Sequence, residues 1–313
     1  MKRFILPFVS FALLAVVSVI TVQSMNDRPN SEASSSQVSG ALSVNDFSGN
    51  NDAEKIQNAI NAAANSQTKT VFLPGGDYTI TSTIQLKQDV KLEFAHNARF
   101  VVYGNQDVLR VESNASIDGA YIAIDDPAFD ANVLSFNGKH KYYNSWNRST
   151  FENINIVNWS GSHNGTGINL YSGGVQHEIS FLLFDNVKMA GLHTGIHLQA
   201  DKASSGYSWI NANTFNHITI DDAVRGIWMD SNVTVPNEVS GNSFTNLQIQ
   251  LSAATEKALR VTGEFNALDG VIWDTHLVNN PSQIVHLTNE SKSTKLDLRG
   301  NVEIYDQGNN NEY

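Results

Sequence analysis

The chain lacks cysteine among its 313 residues. This absence excludes disulfides, thiolate metal ligands and a cysteine nucleophile. Basic residues are few, with 20 Lys and Arg against 31 Asp and Glu and a formal net charge of −11. A nucleic-acid-binding protein needs a basic face for the phosphate backbone, so this deficit argues against that partner. An acidic polysaccharide stays open as a partner, because a local basic patch can lie on an acidic protein.

Long apolar runs are absent except at the N-terminus. There Lys2 and Arg3 precede an apolar run from Phe4 to Val22, which ends near the small residue Ser24. This pattern predicts a secretory signal peptide, although the run is also about long enough for a membrane anchor. We expect residues 1–24 to be a signal peptide or membrane anchor, residues 25–41 a flexible Ser- and Asn-rich linker, and residues 42–313 the folded domain. Both alternatives predict a secreted or membrane-anchored, extracytoplasmic protein that contacts a membrane only through that anchor.

One short segment has helical periodicity. Asn51 stands three residues before Glu54, a spacing typical of a helix N-terminus. Apolar residues then recur at steps of three and four, at Ala53, Ile56, Ile60 and Ala63. The spacing predicts a helix over residues 51–65. The following TVFLP, GGD and YTIT predict a strand, a turn and a second strand.

A repeated unit fills the middle of the chain. Each copy reads Phe-x-Asn-apolar-x-apolar and is followed by Gly-Ile-x-apolar. The copies are FENINI (151–156) with GINL (167–170), FDNVKM (184–189) with GIHL (195–198), FNHITI (215–220) with GIWM (226–229), and FTNLQI (244–249) with ALRV (258–261). Fainter copies of the second half are VLRV (108–111), NVLSF (132–136) and IVHL (284–287). A period of about 25–33 residues with alternating apolar positions predicts a solenoid of short parallel strands.

The segment 44–81 resembles the entry module of the pectate-lyase-like superfamily. The resemblance rests on Asp46-Phe47, Asn51-Asp52, IQNAINAA and VFLPGGDYTI. It implies an all-β fold: a single-domain right-handed parallel β-helix whose open N-terminal end is covered by the helix. Such a cover is needed because the first coil would otherwise present an unpaired strand edge.

Alternation along a strand sorts the repeated residues into two faces. The Ile and Leu of Gly-Ile-x-Leu and the repeated Phe are predicted to point inward and form the core. Asn153, Asn186 and Asn246 share one repeat position, which predicts a buried amide ladder at an inward turn, with His217 as a structural residue in one coil. The middle residues of Gly-Ile-x-Leu are predicted to form an outward column: Arg110, Ser135, Asn169, His197, Trp228, Arg260 and His286.

That outward column, together with outward residues on either side of it such as Tyr171, Arg225 and Asp230, carries the residues on which the functional prediction depends. Trp228, Asn169 and Tyr171 are predicted to bind a polysaccharide, since an indole can stack on a pyranose. Arg225 and Arg260 suit uronate carboxylates, because a guanidinium makes bidentate contacts.

The resemblance adds expected roles for these residues. In superfamily members that are polysaccharide lyases, an Arg or Lys removes the proton next to a uronate carboxylate, and Ca²⁺ held by acidic residues neutralises that carboxylate. By resemblance, Arg225 or Arg260 would be the catalytic base, with His197 as the alternative. Asp230 and Asp201 would hold Ca²⁺.

Other function classes stay open at the sequence level. A glycoside hydrolase would use carboxylates such as Asp201, Asp222 and Asp230. A non-catalytic glycan-binding protein or adhesin would use the same fold without chemistry. VIWDTH (271–276) superficially resembles a Trp-x-Asp-His segment of pectate lyases, but its strand register predicts that Trp273 points inward.

Overall fold

The computed structural model describes residues 40–231 and 237–313. The predicted signal peptide or anchor (1–24) and most of the predicted linker lie outside the described residues. Strands β1 to β26 are Leu42–Ser43, Thr70–Leu73, Gly76–Ile80, Ile84–Leu86, Lys91–Phe94, Ala98–Val102, Leu109–Val111, Ser116–Asp118, Tyr121–Ile124, Asn132–Asn137, Tyr142–Tyr143, Thr150–Asn158, Thr166–Ser172, His177–Ser180, Leu183–Ala190, Thr194–Ala200, Ser208–Asn211, Thr214–Asp221, Arg225–Ser231, Asn237–Ser240, Ser243–Gln250, Lys257–Glu264, Ala267–Trp273, Val285–Lys292, Lys295–Arg299 and Ile304–Asp306. The α-helix α1 is Asp52–Ala64, and short 3₁₀ turns cover Val44–Asp46, Gly138–His140, Thr275–Leu277 and Pro281–Gln283. No helix in the described ranges is long and apolar enough to cross a membrane.

The strands stack into three parallel sheets, and the chain visits the sheets in turn. The first sheet contains β12, β15, β18 and β21 in succession, and the second sheet contains β13, β16, β19 and β22. A smaller third sheet, β11-β14-β17-β20, adds a further side to the middle coils. Parallel strands that follow one another through crossovers wind in the right-handed sense. The predicted right-handed parallel β-helix is confirmed.

The core is the inward column expected from the repeat. Phe151, Phe184, Phe215 and Phe244 are fully buried on adjacent strands of the first sheet. Their neighbouring ring centroids are 5.0, 4.7 and 4.4 Å apart along the stack. Opposite them, the Ile and Leu or Met of the Gly-Ile-x-Leu strands are equally buried, as predicted.

Helix α1 covers the N-terminal edge of the solenoid. Its N-cap Asn51 accepts a hydrogen bond from the Glu54 N–H at 2.9 Å, as the spacing predicted. Gln57 then pairs with the outermost strand of the second sheet, β4. It accepts from the Gln85 N–H at 2.8 Å and donates to the Gln85 carbonyl at 3.1 Å. The helix thereby satisfies backbone groups that a further strand would otherwise pair.

The repeated Asn column is not buried, and that prediction was wrong. Asn153, Asn186, His217 and Asn246 are exposed and have positive φ values between 52° and 57°. They form an outer corner, where Asn186 Nδ2 donates to Asn153 Oδ1 at 2.9 Å. In each copy two residues separate the inward Phe from the next inward aliphatic residue, so strict alternation breaks at this point. Asn and His tolerate the left-handed conformation that the corner requires.

A buried amide ladder does exist, but other residues form it. Asn213, Asn242 and Asn266 are at most 1% exposed and lie two positions before an inward Phe or Leu. Asn242 Oδ1 accepts from the Asn213 N–H at 3.1 Å, and Asn266 Oδ1 accepts from the Asn242 N–H at 3.0 Å. The amides satisfy backbone groups at a turn from which water is excluded.

Trp273 also differs from its prediction. Its side chain is 48% exposed, and its Nε1 donates to Gln248 Oε1 at 2.8 Å. The pairing of β21 with β23 shifts register between Phe244 and Leu247, so β23 has no extra corner residue. Simple alternation from the buried Ile272 then places Trp273 outward.

Candidate functional site

The outward residues of the second sheet form the predicted column. Asn169 pairs in register with His197, His197 with Trp228, Trp228 with Arg260, and Arg260 with His286. Neighbouring strands are about 4.8 Å apart, so these side chains are direct neighbours. We call this surface the second-sheet face. A parallel row beside it contains Tyr171, Gln199 and Asp230.

Asp230 is the centre of this face. Its carboxylate accepts a hydrogen bond from Trp228 Nε1 at 2.7 Å and lies 3.4 Å from His197 Nε2. Arg260 Nη1 donates to the same carboxylate and to the Met229 carbonyl. Partial burial opposes ionisation of Asp230. The hydrogen bonds from His197 and Trp228 and the charge of Arg260 outweigh it, so the pKa of Asp230 lies below its ordinary value. The carboxylate is therefore charged at neutral pH and holds three side chains in place.

Trp228 contacts two guanidinium groups. The Arg225 guanidinium carbon is 4.1 Å from the indole centroid, and that of Arg260 is 5.0 Å away. Both are within cation–π range. The indole therefore supports two cations, and its predicted stacking on a sugar stays a prediction.

Three cations meet at this end of the second-sheet face. Lys257 pairs in register with Arg225 on the neighbouring strand, and its ammonium donates to the Gln283 carbonyl at 2.9 Å. Burial lowers the pKa of Lys257, and the nearby Arg260 charge lowers it further. Burial likewise lowers the pKa of His286, with smaller contributions from Lys257 and Arg260. The face is thus locally positive on a chain of net charge −11.

Asn169, Tyr171 and Asp201 lie at the upstream side of the cluster. Asp201 accepts from Gln199 Nε2 at 3.2 Å on both oxygens. Burial raises the pKa of Tyr171, and the adjacent Asp201 carboxylate raises it further. A cleft of about 310 Å³ continues the same face upstream, lined by Gln85, Arg110, Ser135, Asn137 and Lys139 among others. The face can therefore accommodate an extended ligand along the solenoid axis.

The described residues provide no additional ligands for the predicted Ca²⁺ site at Asp230 and Asp201. Within 40–231 and 237–313, no group of three or more His, Asp or Glu is placed to hold a metal ion. Asp230 instead faces nitrogen donors. Ca²⁺ takes six to eight oxygen ligands, and the donor set around Asp230 does not fit it.

The sequence did not indicate the pairing of His163 with Asp222. His163 Nε2 lies 2.9 Å from Asp222 Oδ2, although the two residues are far apart in sequence. Burial raises the pKa of Asp222, but hydrogen bonds from Ser252 and His163 bring it below its ordinary value. The pKa of the adjacent Asp221 is raised by burial and by the Asp222 charge. A charged and a more readily protonated carboxyl thus stand side by side at the end of β18.

Segments of variable sequence follow the second-sheet strands β13, β16 and β19. The structure places a third-sheet strand in each of them, β14, β17 and β20. Tyr207 and Trp209 stack there with ring centroids 4.0 Å apart. Residues 232–236 of the last segment lie outside the described residues.

In comparisons with known proteins, the chain is similar in fold to several solved structures. No family model and no curated protein matches the chain. Among solved structures, ORF18 of Geobacillus virus E2 matches 87% of this chain at 14% identity, with a TM-score of 0.48; the match covers 60% of ORF18. The mannuronan C-5 epimerase AlgE4 A-module of Azotobacter vinelandii matches 87% of this chain and 95% of its own length at 12% identity, with a TM-score of 0.38. A mutant tailspike protein of E. coli bacteriophage HK620, in complex with pentasaccharide, matches 85% of this chain and 63% of its own length at 12% identity, with a TM-score of 0.37.

Proposed function

We propose that the chain is an exported carbohydrate-active protein that binds an acidic polysaccharide on the second-sheet face and cleaves it by a lyase-type elimination. One observation carries the proposal: Arg225, Lys257 and Arg260 are gathered on neighbouring strands beside the His197–Asp230 pair. Three cations on one face of an acidic protein attract and orient an anionic polymer.

Arg225 is suited to bind a uronate carboxylate. Its Nε is buried without a hydrogen-bond partner in the described part of the chain, and Glu256 Oε2 is 4.0 Å away. The side chain is 34% exposed, so a ligand carboxylate can reach the guanidinium through its outer nitrogens. Trp228 fixes the guanidinium from one side, so little side-chain entropy is lost on binding.

His197 is the better candidate for the base. Arg260 is ion-paired with Asp230, and a guanidinium has no lone pair that could accept a proton. His197 instead lies 3.4 Å from Asp230 through Nε2. With the proton on Nε2 directed at Asp230, the lone pair for proton abstraction is on Nδ1.

The elimination balances with these groups. His197 Nδ1 takes the proton from the carbon next to the uronate carboxylate, while the arginines stabilise the negative charge that develops on that carboxylate. The electron pair forms a C=C bond, the neighbouring C–O bond breaks, and the leaving oxygen takes a proton from water. Asp230 stabilises the resulting imidazolium. The hydroxide that remains takes the proton from the His197 imidazolium, which restores the base and the water.

Hydrolysis is the second candidate, favoured by the Asp221–Asp222 pair. Neighbouring carboxyls whose pKa values are pushed in opposite directions are what an acid and a base require. In this protein the pKa of Asp221 is raised and that of Asp222 is lowered.

The test is a panel of uronate-containing and neutral polysaccharides incubated with the full chain. Two readouts run in parallel: ultraviolet absorbance of the new C=C bond, and release of reducing ends. Each is repeated with added Ca²⁺ and with a chelator, which also tests the predicted Ca²⁺ requirement. Absorbance from an acidic substrate supports the lyase, and reducing ends without absorbance support the hydrolase. If neither signal appears with any substrate, both catalytic proposals are wrong and a binding role is left.

A further inference from the structure

A second concave surface lies on the first sheet. Two adjoining grooves, of about 550 and 610 Å³, share His96 and Tyr121 and so form one continuous path. Their lining residues come from the first sheet and its corners. The path therefore runs over a different surface from the second-sheet face. We call it the corner groove.

The concavity has a local cause in the sequence. Strand β5 ends at Phe94 and β6 begins at Ala98, so the intervening residues make a long corner that projects His96 and Asn97. The next corner is built on Gly119, whose φ is +78°. A Cβ there would lie 3.0 Å from the Phe94 carbonyl oxygen, in a conformation that favours glycine. A ridge beside a residue without a side chain leaves a trough between them.

The floor of the corner groove offers hydrogen-bonding groups at regular spacing. Tyr121, Asn155 and Lys188 lie in register on three adjacent strands. Such strands are about 4.8 Å apart, close to the length of one sugar unit in an extended chain. Asp118 and Asn186 add an acceptor and an amide at the corner. Donors and acceptors are thus mixed, as hydroxyl groups require.

An aromatic pair lies beside these groups. The Tyr121 and Trp159 rings are 6.2 Å apart, and Trp159 is 44% exposed. The Arg99 guanidinium lies 5.7 Å from the Trp159 centroid and is held by Asp77 through two hydrogen bonds of 2.7 and 2.9 Å. Exposed aromatic rings next to fixed polar groups suit a ligand with one apolar and one hydroxylated face.

The charge of the corner groove differs from that of the second-sheet face. Asp77 neutralises Arg99, and Asp118 is paired with Lys91 at 3.2 Å. Among the cationic residues that line the corner groove, Lys188 is the one without an ion-pair partner in the described ranges. From this composition we propose that the corner groove binds a neutral oligosaccharide. Two sugar sites on one solenoid would raise the avidity for a long or mixed polysaccharide. The inference stands whether or not the second-sheet face is catalytic.

The experiment is isothermal titration calorimetry of the full chain with four neutral hexasaccharides: cellohexaose, mannohexaose, maltohexaose and chitohexaose. We expect at least one hexasaccharide to bind. Tyr121→Ala and Trp159→Ala should each weaken that binding about tenfold, as expected when a ligand covers an aromatic ring. Trp146→Ala is the control, because Trp146 is 88% exposed, does not line the groove, and has its ring next to Tyr143 of the third sheet. His197→Asn is the second control, on the second-sheet face. Both controls should bind as the wild type does.

Several outcomes would overturn the inference. These are no binding by any of the four sugars, equal loss in Trp146→Ala and Tyr121→Ala, or loss of binding in His197→Asn. If a variant unfolds, the wild type is measured by NMR instead. The side-chain amide signal of Asn155 should then shift during the titration. An unchanged Asn155 signal at saturating sugar would contradict the groove assignment.

Discussion

The buried ladder of Asn213, Asn242 and Asn266 should be a main source of stability in the downstream coils. The perturbation that tests this is Asn242→Ala. Asn242 is fully buried, and its Oδ1 accepts from the backbone N–H and the side chain of Asn213 at 3.1 and 2.9 Å. Its Nδ2 donates to the Ile210 carbonyl at 2.9 Å and to Asn266 Oδ1 at 3.2 Å. Alanine would remove all four bonds in a place without access for water, although Asn266 Oδ1 would keep its bond from the Asn242 N–H.

The expected magnitude follows from which groups lose their partners. Asn213 Nδ2 keeps its bond to the Ile179 carbonyl at 3.1 Å, so it is only partly affected. The Asn213 N–H is left without a partner, and the Ile210 carbonyl loses one. A buried polar group without a partner costs about 1–3 kcal/mol, so the substitution should cost about 3 kcal/mol. For a domain of this size that is a fall of about 6–12 °C in Tm.

The assay is thermal and urea unfolding of wild type, Asn242→Ala and a matched control, Asn246→Gly. Asn246 is exposed at the outer corner with φ of 56°, a conformation that glycine adopts freely. The control should change stability by less than about 0.5 kcal/mol. Equal losses in both variants, or a larger loss in Asn246→Gly, would refute the assignment of the ladder to the buried residues.

Three further predictions concern the site and the core. Phe215→Ala should cost about 3–5 kcal/mol in urea unfolding, because Phe215 is fully buried between two stacked rings; a cost below about 1 kcal/mol would contradict the stack. Arg225→Ala should weaken binding of an acidic polysaccharide and reduce the salt dependence of that binding, whereas Arg99→Ala on the first sheet should do neither; equal effects would contradict the second-sheet face as the anionic site. The pKa of Asp230 is lowered by its partners, so its contribution to stability is present above the unfolded-state pKa of about 4 and is lost as the pH falls through the lower folded-state value. The free energy of unfolding of the wild type should therefore exceed that of Asp230→Asn at pH 7 by roughly 1 kcal/mol, a modest figure because the side chain is partly exposed. This difference should disappear in acid. A difference that grows in acid would contradict the hydrogen-bond network around Asp230.

The sequence was sufficient to predict the solenoid because its signals are local and repeated. Gly-Ile-x-Leu alternates with period two, and each copy places Ile and Leu inward by the same rule. The register of Asn169, His197, Trp228 and Arg260 then followed from stacking one copy on the next. The helix cap was predictable because Asn51 and Glu54 form a local motif.

The exceptions arise where the backbone leaves the regular pattern. The left-handed corner at Asn153 and its equivalents interrupts alternation, and a sequence pattern cannot distinguish an exposed amide column from a buried one. The buried ladder had a usable signal, an Asn two positions before each inward Phe215 and Phe244. The orientation of Trp273 was predicted wrongly because β23 lacks the corner residue that interrupts alternation in the strands before it.

Contacts between side chains were the least predictable part of the site. The repeat brought Trp228 and Arg260 together, but the direction of each long side chain depends on packing. That Asp230 accepts from Trp228, Arg260 and His197 at once could not be inferred from spacing. The pairing of His163 with Asp222 joins a loop to a distant strand end, for which the sequence has no local signal.

The most direct test of the proposed function is the rate of ultraviolet absorbance on a uronate polysaccharide for wild type, His197→Asn and His217→Asn. Asn occurs naturally in both columns, at Asn169 beside His197 and at Asn186 beside the His217 position, so both variants suit their local backbone. We expect wild type and His217→Asn to share one rate and His197→Asn to lose at least about a hundredfold, the usual contribution of a general base. A wild-type rate that persists in His197→Asn would contradict the assignment of catalysis to this residue.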